Sequence, residues 1–503
     1  MNLRAILIVV AIINFILPLS LSPLFDLDEG AFSEATREML QSGNYLTTYL
    51  DGALRFDKPI LIYWLQAFSV KLFGLNEFAL RLPSAIAGLL WAFAIYAFSK
   101  KEFGQRVAYY STLFMLSALQ INIITKAAIA DSLLNLFIAT SIFSIWIFLK
   151  EGNKKYLYFS FLLIALGALT KGPVAVMVPL VTLLIYMAIK KRFIDFLKII
   201  FNPISIAIFL AVTLPWYILE YLDQGQKFIN GFFLKHNLQR FNSTFESHRG
   251  SYFYYIPVLL LGFLPFSTLL VKSLAKTKSL IKSDLNLFLL IWFSFVFIFF
   301  SFSGTKLPHY IIYGYTPLFI IMGLYASNNF KHLSIATISP TIILYILLFT
   351  LPFIAPFIEP KNLYVKDILS GVSDCFGVSY LGAITLVIIL TVAIYKANIK
   401  LELKSALYAT FFTVVVNFVV IAAYGKLVQL PLKEAALYAK EHKLKVIRYG
   451  ITMPSFLVYL EDKSLKQKPT SKSVVITKSK ALKDFKNYKV LYSKRGIYLI
   501  ELR

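Results

Sequence analysis

The 503-residue sequence has one cysteine, Cys375, and few charged residues. A single cysteine excludes a disulfide framework and a cysteine-bound iron–sulfur centre. Charged residues make up 15% of the chain, whereas soluble globular domains carry about 25%. The sequence also has no glycine-rich phosphate loop and no dinucleotide fingerprint, which argues against a site for a nucleotide sugar.

Apolar residues fill the composition instead and form 58% of the chain. They recur in blocks close to the roughly 20 residues that a helix needs to cross a bilayer. The formal net charge is +25, but the basic residues lie between the blocks, so we expect no nucleic-acid binding. The sequence predicts an all-α multispan membrane protein with about thirteen transmembrane helices. The candidate spans are 5–25, 82–99, 107–124, 133–149, 156–170, 173–189, 199–220, 254–271, 285–303, 309–326, 333–358, 378–396 and 405–425.

The loops between these spans alternate in charge. Loops on one side are basic, as at Lys100-Lys101 and Lys190-Lys191-Arg192, whereas the other side begins with the acidic Asp26-Leu27-Asp28-Glu29. Lys and Arg accumulate on the cytoplasmic side of membrane proteins. The alternation therefore predicts a cytoplasmic N-terminus and an extracytoplasmic C-terminus.

The composition changes after the last apolar block, which divides the chain into a transmembrane domain (1–425) and a C-terminal segment (426–503). The C-terminal segment has eighteen Lys and Arg against six acids, a net charge of +12, and four short strand-like runs at 445–449, 473–477, 489–492 and 497–500. We expect a small soluble α/β domain outside the membrane. Its basic surface suits anionic lipid headgroups or an acidic glycolipid, or is simply a solvated lysine-rich face.

The first outer loop, residues 26–81, is the most informative segment of the transmembrane domain. It combines acids with bases and then continues into an amphipathic stretch ending near Leu75, which is typical of a helix lying in the membrane interface. Carboxylates at a membrane surface are costly without a partner, so the cluster indicates a functional site. A polar loop with ordinary ion pairs is the alternative. The charged residues are Asp26, Asp28, Glu29, Asp57, Arg37, Arg55 and Lys58.

Several motifs in residues 5–330 resemble the polyprenyl-phosphate-sugar-dependent glycosyltransferases of the GT-C fold. The resemblance is nearest to the lipid A aminoarabinose transferase group and more distant to the protein O-mannosyltransferases. The motifs are Asp28-Glu29-Gly30, Arg37-Glu38-Met39, Asp57-Lys58-Pro59 with Tyr63-Trp64, Asp131, Thr170-Lys171-Gly172, His236 with Gln239-Arg240-Phe241, and Gly304-Thr305-Lys306-Leu307-Pro308-His309-Tyr310.

This resemblance implies a hexosyl- or pentosyltransferase in the bacterial inner membrane. It would move a sugar from a polyprenyl phosphate to a hydroxyl or phosphate of an acceptor on the outer face, and the acceptor would be lipid A, another glycan or a protein. By the same resemblance, Asp28 is the catalytic base, Glu29 orients either this base or the acceptor, and Asp131 lies by the active-site cavity. Asp131 is equally suited to cap the helix that follows it.

The resemblance also implies residues that bind the donor phosphate and leaves a divalent-metal site as an open alternative. The family has a glutamate where this chain has the shorter Asp57, and no cofactor is assigned. The expected phosphate-binding residues are Lys58, Lys171, Arg240, Lys306 and Tyr310, and the candidate metal ligands are Asp57 and His236.

One departure from the family and three alternatives stay open. Ala31-Phe32 stands where the aminoarabinose transferase group has an Arg-Tyr pair, so the sugar or the acceptor is expected to differ. A polysaccharide ligase or polymerase, a lipid-linked sugar transporter and a non-catalytic scaffold are the competing functions. A transporter should place ionisable residues near the bilayer midplane, whereas the acids here gather at span ends.

Overall fold

The structure is a computed structural model that describes residues 2–239 and 250–503. It is mostly helical. In the first half of the chain the helices are Leu3–Ala11, a π-helical turn at Ile12–Ile16, Asp28–Ser42, Leu61–Phe73, Glu77–Phe103, Gln105–Ser117, Leu119–Ile124, Asp131–Glu151, Lys154–Lys171, Val174–Ile189, Phe193–Ile200, Pro203–Gln224, Gln226–Phe228 and a π-helix at Ile229–Gln239. After residue 250 they are Tyr255–Gly262, Ser267–Leu274, Thr277–Leu280, Asp284–Phe302, a 3₁₀ helix at Pro308–Gly314, Tyr315–Asn329, Ile335–Ile354, a 3₁₀ turn at Ala355–Phe357, Leu363–Ser370, Val372–Cys375, Val378–Lys396, Leu401–Val414, a π-helical turn at Val415–Val420, Ile421–Val428, Leu430–Glu441, Ser455–Leu460 and Ser479–Leu482.

Eight helices in the described residues are long and apolar enough to cross a membrane. They are Glu77–Phe103, Asp131–Glu151, Pro203–Gln224, Asp284–Phe302, Pro308–Asn329, Ile335–Phe357, Val378–Lys396 and Leu401–Val428. Three further apolar helices in the described residues, Leu3–Ile16, Leu61–Phe73 and Val174–Ile189, are shorter than 18 residues. The multispan helical architecture is therefore present, while the number of thirteen spans stays a prediction.

The block 254–271, which we predict as one span, contains two helices, and the chain bends by 120° between them. Tyr255–Gly262 and Ser267–Leu274 are separated by a break that contains Pro265. Proline has no N–H to donate and pushes the preceding residue out of the helical region, so a helix ends readily before it. Hydrophobicity alone did not reveal this bend.

The first outer loop folds against the membrane helices as helix, hairpin and helix. The helix Asp28–Ser42, which we call the loop helix, ends at Gly43, whose φ of 69° provides the left-handed closing residue that terminates many helices. A two-stranded hairpin follows, Tyr49–Leu50 with Ala53–Leu54, turned by Asp51-Gly52 at φ values of 53° and 74°. Asp-Gly favours such a turn because both residues tolerate positive φ.

The C-terminal segment contains a four-stranded mixed sheet. Its strands lie in the order Val446–Arg448, Val474–Lys478, Ile497–Leu502 and Tyr488–Lys494, with the first pair parallel and the others antiparallel. The four strand-like runs of the sequence each overlap one of these strands. The helices Leu430–Glu441 and Ser455–Leu460 pack on the sheet through an apolar cluster that includes Leu432, Phe456 and Leu499.

Charged contacts hold the C-terminal segment on the first outer loop. The carboxylate of Asp51, at the hairpin tip, accepts hydrogen bonds from Arg448 (2.5 Å), Ser464 (2.6 Å) and Lys466 (2.5 Å). The carboxylate of Asp26, at the start of the loop helix, accepts from the backbone N–H (3.0 Å) and the hydroxyl of Ser455. Part of the basic surface predicted for lipid contact therefore neutralises acids of this loop.

We expect Asp51→Asn to destabilise the protein by about 1–3 kcal/mol, because the buried Ser464, the half-buried Arg448 and the exposed Lys466 all lose a charged acceptor. Burial opposes ionisation, yet hydrogen bonds from Lys466 and Ser464 hold the pKa of Asp51 below its usual value. A lowered folded-state pKa gives stability that is present above the unfolded pKa near 4 and is lost as pH falls through the folded value. The variant's deficit in thermal midpoint should therefore shrink in acid.

The matched control is Asp462→Asn, which removes a carboxylate paired with Lys445 on the exposed surface of the same segment. Exposed pairs contribute little to stability, so this variant should melt within a degree or two of the wild type. Equal midpoints for the two variants in detergent would contradict the docking role of Asp51.

Candidate functional site

A buried ion pair fixes the start of the loop helix. Both oxygens of Glu29 are paired with Arg81, at 2.7 Å to Nε and 2.9 Å to Nη2. The same carboxylate accepts the backbone N–H groups of Phe25 (2.7 Å) and Ala128 (2.9 Å). Arg81 also donates to the carbonyl oxygens of Leu19, Ser22 and Pro23. The pair thus connects the segment after the first helix, the loop helix and the turn before Asp131. The side chain of the neighbouring Asp28 points away from this ion pair.

Beside this pair lies a small polar cavity, which we call the lysine cavity. It brings together side chains from the loop helix, the turn after the hairpin, and three later segments of the chain. Its lining residues are Asp28, Phe32, Asp57, Lys58, Ile129, Asp131, Lys171, Leu307, His309 and Tyr310. Six residues that the sequence analysis singles out as site residues, Asp28, Asp57, Lys58, Asp131, Lys171 and Tyr310, therefore line one cavity.

Two cations share one carboxylate on the wall of this cavity. Asp57 Oδ1 accepts from Lys58 Nζ at 2.9 Å, and Asp57 Oδ2 accepts from Arg55 Nη2 at 3.1 Å. The Arg55 guanidinium also lies 5.3 Å from the centre of the Phe32 ring. The three charged groups together carry one net positive charge, which suits the binding of an anion.

The opposite wall is built around Asp131. Its Oδ1 accepts from Lys171 Nζ at 2.7 Å and from the Tyr313 hydroxyl at 3.0 Å. Asp131 is the first residue of the helix Asp131–Glu151, and the N-cap position before it is occupied by Ala130. The capping role that we kept as an alternative is therefore wrong, because the carboxylate points to Lys171 and holds that ammonium at the cavity.

Asp28 differs from the other carboxylates of this region. Among the described residues, its oxygens make no hydrogen bond or ion pair, and its side chain is exposed to the cavity. By contrast, Asp26, Glu29, Asp57 and Asp131 each have at least two donors. A carboxylate with free lone pairs at a cavity wall can accept a proton or a hydroxyl hydrogen bond.

The structure does not bring every predicted site residue into the lysine cavity. Glu29 faces Arg81 and a second cavity instead. Lys306 donates to the carbonyl of Ser303 at 2.8 Å and lies 5.7 Å from the Tyr252 ring, outside the cavity lining. Arg240 lies outside the described residues, and the side chain of His236 is not described either.

The side chains that could ligate a metal in the described part of this site do not suit a divalent metal ion. Asp57 already faces two cationic groups, and a third positive charge beside them would be repelled. In the described ranges no three His, Cys, Asp or Glu side chains are grouped as a metal site requires. We therefore assign no metal-dependent step to these residues.

Three residues of the site were not among the predicted ones. Arg81 is an arginine near the start of the apolar helix Glu77–Phe103, and an arginine at such a place is rarely without a buried partner. That isolated charge was the available signal for Arg81. Arg55 was noted only as a neighbour of the acids, and Tyr313 follows Tyr310 by one turn of the 3₁₀ helix, so both lacked a distinctive pattern.

Comparison with known proteins matches this chain to one family of transferases. Residues 57–219 match the family described as dolichyl-phosphate-mannose-protein mannosyltransferase. The undecaprenyl phosphate-alpha-4-amino-4-deoxy-L-arabinose arabinosyl transferase of Aeromonas hydrophila is 32% identical over 324 residues, which are 63% of this chain and 58% of that protein. The enzyme of the same name from Yersinia enterocolitica is 32% identical over 66% of this chain and 60% of its own length. The chain thus spans about three fifths of the length of the relatives that it matches.

Solved structures give the fold over nearly the whole chain. ArnT from Cupriavidus metallidurans, crystallised with undecaprenyl phosphate, superposes with a TM-score of 0.79 at 21% identity, covering 99% of this chain and 97% of that one. The oligosaccharyltransferase of Archaeoglobus fulgidus superposes with a TM-score of 0.51 at 11% identity, covering 99% and 73%. These superpositions show a shared fold, and together with the sequence matches they confirm the resemblance to the GT-C glycosyltransferases related to aminoarabinose and protein mannosyl transferases.

We expect Arg81→Met to destabilise the protein by about 3–5 kcal/mol, because it leaves the Glu29 carboxylate buried and unpaired. The expected result is a large loss of folded protein in detergent extracts, measured by size-exclusion chromatography and thermal unfolding. Arg106→Met is the matched control, since Arg106 also pairs with a glutamate, Glu402, but is more than half exposed. If both variants were equally stable, Glu29 and Arg81 would not have the organising role described here.

Proposed function

We propose that this protein is an integral membrane glycosyltransferase that uses a polyprenyl-phosphate-linked sugar. The sugar would pass to a hydroxyl or phosphate of a glycolipid, glycan or protein on the outer face of the bacterial inner membrane. The observation that carries this proposal is the free carboxylate of Asp28 in the same cavity as Lys58 and Lys171. The relatives named for undecaprenyl-phosphate-linked aminoarabinose support a lipid-linked donor.

The proposed chemistry is one displacement at the anomeric carbon. Asp28 takes the proton of the acceptor hydroxyl, and the acceptor oxygen forms the new bond to the anomeric carbon of the sugar. At the same time the bond from the anomeric carbon to the phosphate oxygen breaks, and the lipid phosphate leaves with the bonding pair. Lys58 and Lys171 stabilise the charge on that phosphate, Asp57 and Asp131 hold their ammonium groups in place, and Tyr310 lines the same wall.

The orientation in the membrane is part of the same proposal. We place the N-terminus in the cytoplasm, and the lysine cavity and the C-terminus outside, with about thirteen spans in residues 1–425. Residues 426–503 would form a separate extracytoplasmic α/β domain. The contacts of Asp51 and Asp26 with this segment support one shared compartment for the first outer loop and the C-terminus.

We expect Asp28→Asn to lower the rate of sugar transfer by about 10²–10⁴-fold, because asparagine cannot accept the proton. The measurement is transfer from an undecaprenyl-phosphate-linked aminopentose or hexose in membranes, followed by mass spectrometry of glycolipids and glycoproteins. Binding of undecaprenyl phosphate and the thermal midpoint should stay close to wild type. Undiminished transfer by this variant would refute Asp28 as the base.

We expect Lys58→Met to weaken binding of undecaprenyl phosphate by about 10–100-fold, since a hydrogen bond to a charged group contributes about 1.5–3 kcal/mol. Native mass spectrometry or calorimetry of the purified protein would measure the dissociation constant. Lys101→Met removes an equally long lysine that pairs with Glu151 and lies in the last turn of the helix Glu77–Phe103, at the opposite end from Arg81, and it should bind like wild type. Unchanged binding by the Lys58 variant would contradict the phosphate role.

A further inference from the structure

A further cavity, which we call the first-helix cavity, lies beside the first helix of the chain. It has a volume of about 370 Å³ and is enclosed by the helices Leu3–Ala11, Glu77–Phe103 and Gln105–Ser117. All of its lining residues except Arg4, Tyr96 and Thr112 are aliphatic or phenylalanine. The cavity opens on the apolar outer surface of the molecule, where Ile8, Ile12 and Phe93 are exposed.

The three polar lining residues lie at one end of this cavity. Arg4 Nε donates to the Tyr96 hydroxyl at 3.0 Å, so these two residues lie at the same depth. The two longer helices pack against each other and are joined at Gly104, and Tyr96 and Thr112 are equally far from this turn along the chain. Because an α-helix rises by a constant amount of about 1.5 Å per residue, Thr112 also lies near that depth. The cavity thus has one polar end, and the rest of it is apolar.

Arg4 and Thr112 keep hydrogen-bond donors that no described residue uses. Since Arg4 Nε donates to Tyr96, the Nη1 and Nη2 groups are the ones without a partner in the described part of the chain. Thr112 Oγ1 is buried and also lacks a partner there. A helical threonine commonly donates to the carbonyl four residues before it, as Thr182 does. The paired terminal nitrogens of an arginine match the oxygens of a phosphate group.

Basic side chains are in excess at this end of the molecule. The acids of the adjacent loops are already neutralised, in the pairs Glu102–Lys150, Glu151–Lys101 and Glu402–Arg106. Lys100 lies one turn beyond Tyr96 on the same face of the helix, because residues four apart are neighbours on a helix surface. Its ammonium has no partner among the described residues. Arg4 and Lys100 therefore leave positive charge at the polar end of the cavity.

The length of the cavity corresponds to one leaflet of a bilayer. The first helix lines it from Arg4 to Ile12, a rise of about 12 Å, whereas the hydrocarbon core of both leaflets is about 30 Å thick. In the orientation proposed above, the polar end is cytoplasmic. Anionic lipid headgroups give the cytoplasmic leaflet its negative surface potential, and basic pockets between helices on that side bind such headgroups.

We propose that the first-helix cavity is a binding site for an anionic glycerophospholipid of the cytoplasmic leaflet. The phosphate pairs with Arg4 and Lys100, Thr112 donates to the ester region, and an acyl chain fills the apolar part. A zwitterionic lipid brings its own cation to the basic end and loses much of this attraction. The site is separate from sugar transfer, because it shares no residue with the lysine cavity.

The test uses the full-length protein, delipidated in detergent and then saturated with undecaprenyl phosphate so that its donor site is filled. The probes are dioleoylphosphatidylglycerol, which is anionic, and dioleoylphosphatidylcholine, which is zwitterionic and has the same acyl chains. We expect native mass spectrometry to show about tenfold tighter binding of the anionic probe to the wild type. The double variant Arg4→Gln with Lys100→Gln should lose that preference.

The matched control is the double variant Lys101→Gln with Lys150→Gln. It removes two positive charges from the same end of the molecule, but both of these lysines are paired with glutamates. This control should keep the preference for the anionic probe.

A third variant tests the apolar part of the cavity. Ala92 lines the wall and is almost fully buried, so Ala92→Phe should fill space that the acyl chain needs and weaken the binding of both probes. The thermal midpoint of the wild type should rise more with the anionic probe than with the zwitterionic one, since a ligand that binds the folded state stabilises it. Of the nine residues of the first helix only Leu7, Val10 and Ala11 are buried, so a lipid adds packing that this helix lacks.

Equal binding of the two probes by the wild type, or an unchanged preference in the Arg4 and Lys100 variant, would overturn the proposal. Competition by glycerol 3-phosphate would also overturn it, because the basic residues would then bind a free phosphate. Weaker binding of undecaprenyl phosphate by the same variant would assign the cavity to the donor instead. None of these assays contains a transfer step, so their failure leaves Asp28-dependent transfer intact, and undiminished transfer by Asp28→Asn leaves this lipid site intact.

Discussion

The buried pair between Glu29 and Arg81 is the constraint on which the rest of the site depends. It takes two charges out of water, so it is tolerated only with the close geometry and the additional backbone donors that it has here. Because Glu29 is held by Arg81, the next residue toward the N-terminus, Asp28, emerges at the first turn of the loop helix with its oxygens free. The position of the candidate base follows from the burial of its neighbour.

Asp28 lies between two groups of charged side chains. On one side, Asp57 and Asp131 each hold a lysine in the lysine cavity, and the additional Arg55 leaves that wall with excess positive charge. On the other side lies the second cavity, whose lining includes Glu29, Arg81 and Lys126. The proposed displacement needs a base at the edge of a cationic cavity, and Asp28 lies at that edge.

The sequence predicted what depends on local pattern. The strands after residue 445 follow from short apolar runs in the sequence. The predicted residues of the lysine cavity came from motifs that resemble the glycosyltransferase family. The features that the sequence did not predict depend on contacts between residues that are far apart in the chain. Arg81 meets Glu29 from 52 positions away, and Lys306 turns to Ser303 rather than to the cavity. The bend near Pro265 was hidden because hydropathy does not report helix direction.

The contacts of the C-terminal segment also could not be predicted from the sequence. Its strands can be predicted from the sequence, but nothing in the sequence indicated that three of its basic residues, Arg448, Lys463 and Lys466, bind acids of the first outer loop. Through Ser455, this segment touches Asp26, two residues before the candidate base. Gly30 fits there because a Cβ would lie 2.7 Å from the backbone nitrogen of Ser455. The segment is therefore part of the structure that supports the site.

The stereochemistry of transfer tests the central claim most directly. The purified protein would be given a lipid-linked sugar of known anomeric configuration, and the configuration in the product would be read by NMR from the coupling and shift of the anomeric proton. With Asp28 as a base between two cavities, the account predicts the opposite configuration in the product. Retention of the donor's configuration would require a covalent sugar–protein intermediate and would contradict the account.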